Sequence, residues 1–181
     1  MRKIQKAFTL VELLVTLSVV AIVIAIAAPS FNQQIAKNRA EVLGDNFASA
    51  INLARYEAIK RSGRVSICAS NNGIACVGTW FDGYMIFVDG AADTAPAPAV
   101  VGPPIQYWVN PDSQTVMTVL RGLNPATFFR FNHLGTLARI DGNPITITIS
   151  PQGCVANSNF AKLITVGLSG IVSVVERFPC P

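Results

Sequence analysis

Charged residues are scarce in this 181-residue chain: they make up 13% of the sequence, against roughly a quarter in typical globular proteins. Hydrophobic residues reach 51%, a composition that excludes a disordered chain or a coiled coil and indicates membrane contact. Three of the fourteen basic residues, Arg2, Lys3 and Lys6, precede residue 8, and the remaining eleven nearly balance the ten acidic residues. The isoelectric point of 9.1 therefore reflects the N-terminus and does not indicate a nucleic-acid partner.

Catalytic signatures are also lacking. The chain has one histidine and none of the G-x-S-x-G, H-E-x-x-H or P-loop patterns that mark hydrolases, zinc proteases and nucleotide-binding proteins. Glu57 can pair with Arg61 one helical turn later, and Asp82 lies in a predicted turn. The carboxylates expected in such structural roles are Glu57, Asp82, Asp89 and Asp141. We therefore expect no enzyme activity, no cofactor and no metal site.

The N-terminus combines a short basic stretch with a long apolar run. Residues 1–7 (MRKIQKA) carry three basic residues and no acid, and residues 8–28 contain one charge. At about 1.5 Å per residue, a helix of this length matches the roughly 30 Å hydrocarbon core of a bilayer. The basic flank predicts that residues 1–7 lie in the cytoplasm and the remainder outside it. A secretory signal would have a shorter apolar core and a cleavage site after it, while a plain single-span anchor stays open as an alternative.

Glu12 is the one charge in the apolar run. An ionisable side chain inside lipid costs a few kcal/mol or more and usually marks a function that involves a partner. A plain anchor gains nothing from such a residue. Glu12 therefore favours a role beyond anchoring.

Residues 30–63 predict an amphipathic helix, because apolar residues recur at spacings of three and four. Gly44 weakens this helix locally by about 1 kcal/mol, and Gly63 is its expected end. The helix carries basic residues on more than one side, which is typical of a solvated flank.

Residues 64–181 predict a β-rich head, because short β-type runs alternate with turn signals. The run ITITIS alternates strictly, so one face of that strand is wet and the other buried. Residues 90–104, rich in proline and alanine, are expected to form a loop. Because one helix precedes many strands without β-α-β alternation, the predicted fold class is α+β, with a long N-terminal helix packed on an antiparallel sheet. The predicted strands are 64–69, 84–89, 105–109, 115–121, 127–132, 145–150, 162–167 and 171–176.

The four cysteines favour disulfide bonds. Their number is even, the predicted topology puts them outside the cytoplasm, and no C-x-x-C pattern indicates zinc. We favour the pairs Cys68–Cys76 and Cys154–Cys180. Four cysteines allow three pairings, and the sequence does not choose strictly among them.

The run Ala7-Phe8-Thr9-Leu10-Val11-Glu12 resembles the prepilin peptidase site of the type IV pilin-like superfamily. The resemblance implies cleavage between Ala7 and Phe8, N-methylation of Phe8, and pairing of Glu12 with the Phe8 amine of a neighbouring subunit. The superfamily usually has glycine before the cut, so Ala7 implies slower processing. Pro29 falls where pilins commonly place a helix-kinking proline. The implied organisation is a leader peptide (1–7), a transmembrane or filament-core half-helix (8–29), an amphipathic half-helix (30–63) and a periplasmic head (64–181).

The head carries segments similar to those of the GspH/FimT family of minor pilins and pseudopilins. The segment from Trp80 to Asp89 (WFDGYMIFVD) resembles that family's W-x-x-G-[WY]-x-[IV]-F-x-D pattern. The run RYEAIKR, residues 55–61, resembles the end of its long helix. The segment from Phe131 to Gly135 matches its F-x-x-x-G element.

Some members of this family act as DNA receptors through a G-R-x-R turn near the C-terminus. The corresponding element here is Gly170-Ile171-Val172-Ser173, which lacks both arginines. From residue 65 onward five basic residues stand against six acidic ones, and phosphate contacts dominate nucleic-acid affinity. DNA binding is therefore disfavoured, and its remaining candidate is a patch formed by Arg121, Arg130 and Arg139.

The resemblance implies a non-catalytic minor type IV pilin. We expect a single-pass inner-membrane protein with a periplasmic head, which then joins an extracellular pilus. The expected partners are prepilin peptidase, other minor pilins and the major pilin, in a complex that primes pilus assembly at or near the tip. The alternatives are a minor pseudopilin of a type II secretion system and a DNA-binding receptor in natural transformation.

Overall fold

A computed structural model describes residues 9–109, 114–138, 140–156 and 158–180, and for residues 26–30 the backbone alone. Within these residues one helix, α1 (Leu10–Lys60), precedes nine strands. The chain separates into two units between Ile35 and Ala36. The strands are β1 (Val65–Ala69), β2 (Gly83–Asp89), β3 (Val100–Val109), β4 (Thr115–Arg121), β5 (Asn124–Pro125), β6 (Phe128–Phe131), β7 (Ile145–Pro151), β8 (Ala161–Val166) and β9 (Val172–Phe178).

The first unit is the apolar part of α1. Thr9 caps the helix, since its hydroxyl accepts the Glu12 amide at 3.2 Å. The Thr16 and Ser18 hydroxyls donate to the carbonyls of Leu13 and Leu14, both at 2.8 Å. Polar side chains that bond back to the backbone in this way leave an apolar helix surface.

The second unit packs the remainder of α1 against two antiparallel sheets. One sheet has the order β3-β2-β1-β6 and the other the order β5-β4-β7-β8-β9. The helix contributes alanines at positions 40, 50, 54 and 58, all buried, and small side chains let a helix approach its neighbours closely. The α+β class expected from the sequence is confirmed.

Phe47 is the aromatic centre of the core. Its ring meets those of Tyr84 at 4.7 Å, Trp80 at 5.7 Å and Phe129 at 6.5 Å between centroids, each nearly edge to face. Such arrangements are favoured by the ring quadrupoles. One helix residue thereby joins three segments of the head.

The run ITITIS forms β7 with the predicted alternation. Ile145, Ile147 and Ile149 point into the core, while Thr146 and Thr148 are half-buried on the outer face. The period of two follows from the pleat of the strand.

Two predicted boundaries differ from the structure by three residues or more. The helix ends at Lys60, three residues before the expected end at Gly63, because a Schellman turn closes it: Gly63 donates to the Ala58 carbonyl at 3.1 Å and Ser62 takes a φ of 47°. The segment 90–104 is only partly a loop, because β3 begins at Val100. Val100 and Val101 pair with β2, and a bulge accommodates the prolines that follow.

Candidate functional site

The N-terminal part of α1 carries large apolar side chains that are exposed within the chain. Leu10, Val11 and eight further large aliphatic residues up to position 23 are more than half exposed within the chain. Glu12 lies in the first helical turn, where the helix dipole favours a carboxylate. Ala7 and Phe8, the predicted processing residues, lie outside the described residues. Pro29 lies within α1.

In the part of the chain that the structure describes, no helix meets the length and apolarity needed to cross a membrane.

The segment from Trp80 to Asp89 has a structural role in the head. The Trp80 indole donates to the Ala126 carbonyl at 2.6 Å, and its ring packs on the core. Tyr84 stacks on Trp108 with centroids 5.0 Å apart, and burial raises the pKa of Tyr84 to about 12. Trp80 and Tyr84 both pack against Phe47 of α1, so this motif joins α1 to the four-stranded sheet.

Asp89, the last residue of that motif, forms a buried ion pair with Arg130 of β6. The Arg130 Nε and the Asp89 carboxylate are 2.8 Å apart, and both side chains are fully buried. Burial raises the pKa of Asp89, but hydrogen bonds outweigh it and the net shift of this pKa is downward. The donors, besides Arg130, are the Ser66 hydroxyl and the amides of Ala91 and Ala99.

Arg130 also organises the loop that follows β2. Its terminal nitrogens donate to the carbonyls of Ala92 at 2.6 Å, Ala95 at 3.2 Å and Ala97 at 3.1 Å. The Arg130 guanidinium therefore holds this loop in place, because it donates hydrogen bonds to three of the loop's carbonyl groups. The predicted role of Arg130 in a DNA-binding patch is wrong, because its guanidinium is fully buried and already paired with Asp89, so a phosphate cannot reach it.

Arg121 lies close to Arg130, but it contacts the ring and the backbone of Phe128 in β6. Both guanidinium groups lie over the Phe128 ring, at 5.3 Å and 5.4 Å from its centroid. Arg121 donates to the Phe128 carbonyl at 2.9 Å, and burial lowers its pKa. Arg139, the third member of the predicted patch, lies outside the described residues. The two described arginines converge, as the sequence spacing allowed, but on an aromatic ring.

Three of the segments quoted from the sequence meet at the C-terminal end of α1. Arg55 donates through Nε to the Gly135 carbonyl at 2.9 Å. Gly135 and Gly170 both have positive φ, 73° and 78°. A Cβ on Gly170 would lie 1.9 Å from the Gly135 oxygen, so only glycine fits between the two turns. Arg55, Gly135 and Gly170 form what we call the turn junction; sequence reasoning found all three residues but not their contact.

Exposed apolar side chains surround the turn junction. Ile59, Leu134, Leu168 and Ile171 are each more than 40% exposed. Ile171 stands where the DNA-receptor pattern has an arginine. This end of the head therefore presents an apolar surface.

The carboxylates that the sequence assigned to structural roles have hydrogen-bond partners within the chain. Glu57 accepts Arg61 Nε at 2.6 Å and Lys60 Nζ at 3.3 Å, and the Arg61 hydrogen bond holds its pKa below the usual range. Asp82 accepts the Thr79 amide at 2.8 Å. Asp141 accepts the Asn143 amide at 3.1 Å. Among the described residues, no cluster of three or more His, Cys, Asp or Glu side chains could hold a metal ion.

Two disulfides join the pairs that the sequence favoured. Cys68 of β1 and Cys76 have Cα atoms 5.5 Å apart, and Cys154 and Cys180 have Cα atoms 6.0 Å apart. The first closes the turn after β1, where the Ser70 hydroxyl donates to the Ala75 carbonyl at 2.8 Å. The second holds the C-terminal segment after β9 against the loop that precedes β8.

Solved structures of similar fold include a type IV minor pilin and a minor pseudopilin of a type 2 secretion system. The type IV minor pilin FimU of Pseudomonas aeruginosa has a TM-score of 0.59 at 15% identity, over 80% of this chain and 93% of that one. The minor pseudopilin EpsH of the Vibrio cholerae type 2 secretion system has a TM-score of 0.52 at 14% identity, over 76% and 97%. At such identities the likeness shows the fold alone. A comparison with curated protein sequences found no match.

Two family profiles match the sequence. The prokaryotic N-terminal methylation motif matches residues 2–28. The family described as type II transport protein GspH matches residues 43–170, which is more than two thirds of the chain. The chain belongs to the GspH family of type IV pilin-like proteins, which includes minor pilins and pseudopilins.

Proposed function

We propose that this protein is a minor type IV pilin without catalytic activity. Prepilin peptidase cleaves it between Ala7 and Phe8 and the new N-terminus of Phe8 is methylated. Before cleavage the chain is inserted in the inner membrane, with the basic leader in the cytoplasm and the head in the periplasm. The match of residues 2–28 to the N-terminal methylation motif is the observation that carries this proposal.

Glu12 supports incorporation into a filament. The structure gives its backbone amide a partner in Thr9, but the carboxylate belongs to a part of α1, residues 10–25, whose other large side chains are aliphatic. A carboxylate in such surroundings is stabilised by a buried cation. The Phe8 amine of a neighbouring subunit supplies that cation, so subunits join in a defined register.

The head then contacts neighbouring minor pilins. The head contains the internal ion pairs Asp89–Arg130 and Lys162–Glu176, and the apolar residues around the turn junction are exposed. Exposed apolar patches rimmed by polar residues mark interaction surfaces. In this role the protein joins other minor pilins and the major pilin in a complex that primes assembly at or near the pilus tip.

The second candidate is a minor pseudopilin of a type II secretion system. The family description favours it, since it names a type II transport protein. Both filaments use the same N-terminal chemistry, so the two candidates differ in partners. A DNA-receptor role stays disfavoured, because Ile171 and Ser173 replace the expected arginines and Arg130 is buried.

Deletion and complementation in the native host test the proposal. We expect deletion to reduce surface pili and to leave protein secretion unchanged. Wild type and the matched control Thr16→Val restore piliation, whereas Glu12→Ala does not, because the subunit lacks its charge partner. Normal pili together with a loss of secretion would establish the pseudopilin instead. Full piliation by Glu12→Ala would contradict the assembly role of Glu12.

A further inference from the structure

The outer edge of β9 is open in the described part of the chain. β9 ends the five-stranded sheet and pairs with β8 alone. Its side chains are exposed from Ser173 to Arg177. A strand edge presents a row of backbone N–H and C=O groups that pair readily with another strand.

The hydrogen-bond pattern shows which groups face outward. Gly167 donates to the Ile171 carbonyl at 2.9 Å, so these two residues form a bonded pair at the start of the hairpin. Bonded and non-bonded pairs alternate along antiparallel strands. In the observed register Ser173 and Val175 therefore bond to β8. The N–H and C=O groups of Val172 and Val174 point to the open side.

The side chains at this edge are apolar on both faces of the sheet. Val174 pairs with buried Ile164 and so lies on the core face, yet it is 40% exposed because no strand continues the sheet. Val175 on the opposite face is 45% exposed. The apolar surface continues through Ile171 and Leu168 at the turn junction. An added strand would cover both valines.

The other sheet has an edge that resists pairing. β3 carries Pro103 and Pro104, which have no N–H to donate, and its pairing with β2 is interrupted by a bulge. Prolines and bulges are common means of blocking edge-to-edge association. β9 has neither between Val172 and Val175; its register with β8 shifts only beyond Val175, where Arg177 has a φ of 61°.

We propose that the β9 edge binds an extended strand of another protein chain, which pairs with the backbone of Val172 and Val174 and adds a sixth strand to the sheet. The edge itself defines this occupant, because an extended backbone offers alternating donors and acceptors at the spacing that the edge presents. In the filament the strand belongs to a neighbouring subunit, and that assignment rests on the function proposed above.

Peptide binding to the purified full-length chain in detergent tests the proposal. The probe copies residues 160–168 (FAKLITVGL), because it contains β8, the strand that β9 already accepts on its other side. One form carries N-methyl groups at the positions of Leu163 and Thr165, the residues that face Val175 and Ser173 in the folded chain, so only its other edge, with the N–H groups of Ile164 and Val166, can pair. The matched control carries N-methyl groups at all four positions 163–166, so neither of its edges can pair. We expect the first form to bind and to shift the amide resonances of Val172 and Val174, and the control not to bind.

Two variants locate the binding. Val174→Pro removes the outward N–H but leaves the bonds of Ser173 and Val175 to β8, so the chain still unfolds cooperatively; Val174→Thr keeps the N–H. We expect Val174→Pro to weaken peptide binding by about tenfold or more and Val174→Thr to leave it within about threefold, on the scale of one or two lost hydrogen bonds.

Three results would overturn the proposal. These are equal binding of the two methylated peptides, no binding of either, and undiminished binding to Val174→Pro. The peptide comparison uses the unmodified protein, so it holds even if a variant fails to fold. Because no filament is involved, failure here leaves the pilin role standing, and failure of the Glu12 experiment leaves the peptide result standing.

Discussion

Arg130 is the largest fully buried side chain among the described residues, and its burial depends on complete neutralisation and bonding. Asp89 supplies the opposite charge, and carbonyls of the loop after β2 accept hydrogen bonds from both terminal nitrogens. A buried charge without such partners would cost several kcal/mol. Asp89 and Arg130 lie 41 positions apart in the sequence, and nothing local marks them as partners. In the folded chain they form a buried ion pair that holds the loop after β2.

Removing the Asp89 charge should therefore destabilise the head in a pH-dependent way. We expect Asp89→Asn to lower the free energy of unfolding by about 3 kcal/mol at neutral pH, since it leaves Arg130 buried without a counter-charge. The lowered pKa of Asp89 means that its contribution is complete above the unfolded-state pKa of about 3.9 and is lost as the pH falls through the folded-state pKa. Denaturant unfolding of both proteins between pH 7 and pH 3 measures this difference. A difference that stays constant down to the lowest pH would contradict the account.

Ser62 adopts the left-handed conformation that closes α1. A non-glycine residue there costs about 1 kcal/mol, and the carbonyl groups of Ala58 and Ile59 are satisfied by the turn whatever the side chain. We expect Ser62→Gly to raise the free energy of unfolding by about 0.5–1 kcal/mol. Thermal unfolding measures this gain, and Ser49→Gly, inside the helix, is the matched control that should destabilise. A loss of stability in Ser62→Gly would show that the Ser62 side chain has a contact that outweighs the strain.

At the scale of elements, Gly44 explains how α1 meets the five-stranded sheet. The aliphatic part of Lys162 from β8 crosses the helix at Gly44, where an added Cβ would lie 2.5 Å from its Cδ. The Lys162 ammonium reaches Asp45 and lies 3.8 Å from Glu176. Gly44 has a low helix propensity, but its missing side chain leaves the space that the buried Lys162 side chain occupies.

We expect Gly44→Ala to destabilise the protein by about 1 kcal/mol, although helix propensity alone predicts a gain of similar size. In a Lys162→Ala background the same substitution should stabilise, because the crossing side chain is gone. A double-mutant cycle from chemical denaturation measures the coupling between the two positions. Additive effects would contradict the crossing.

At the scale of the whole molecule, much of the fold follows from sequence patterns. The period of three to four residues predicts α1, and the alternation in residues 145–150 predicts β7, because each pattern depends on local geometry alone. The start of β3 and the end of α1 were missed, since tertiary pairing overrides the prolines and Ser62 takes the role expected of glycine.

The site was predictable to a different extent. The N-terminal methylation motif is contiguous, so the sequence alone suffices to find it, and the roles of Ala7, Phe8 and Glu12 stay predictions. Arg130 was assigned wrongly to a surface because neither its burial nor its pairing with Asp89 has a local signal. The turn junction and the open edge of β9 depend on which strands lie side by side, and only the folded chain provides that order.

Mass spectrometry of this chain in sheared surface filaments shows whether it is processed and assembled as proposed. We expect a polypeptide that begins at Phe8 with a methylated amine and lacks residues 1–7, and we expect more complete processing for Ala7→Gly than for wild type. A chain that retains residues 1–7, is cut after the apolar run, or is missing from intact filaments would contradict the assignment as a processed pilus subunit.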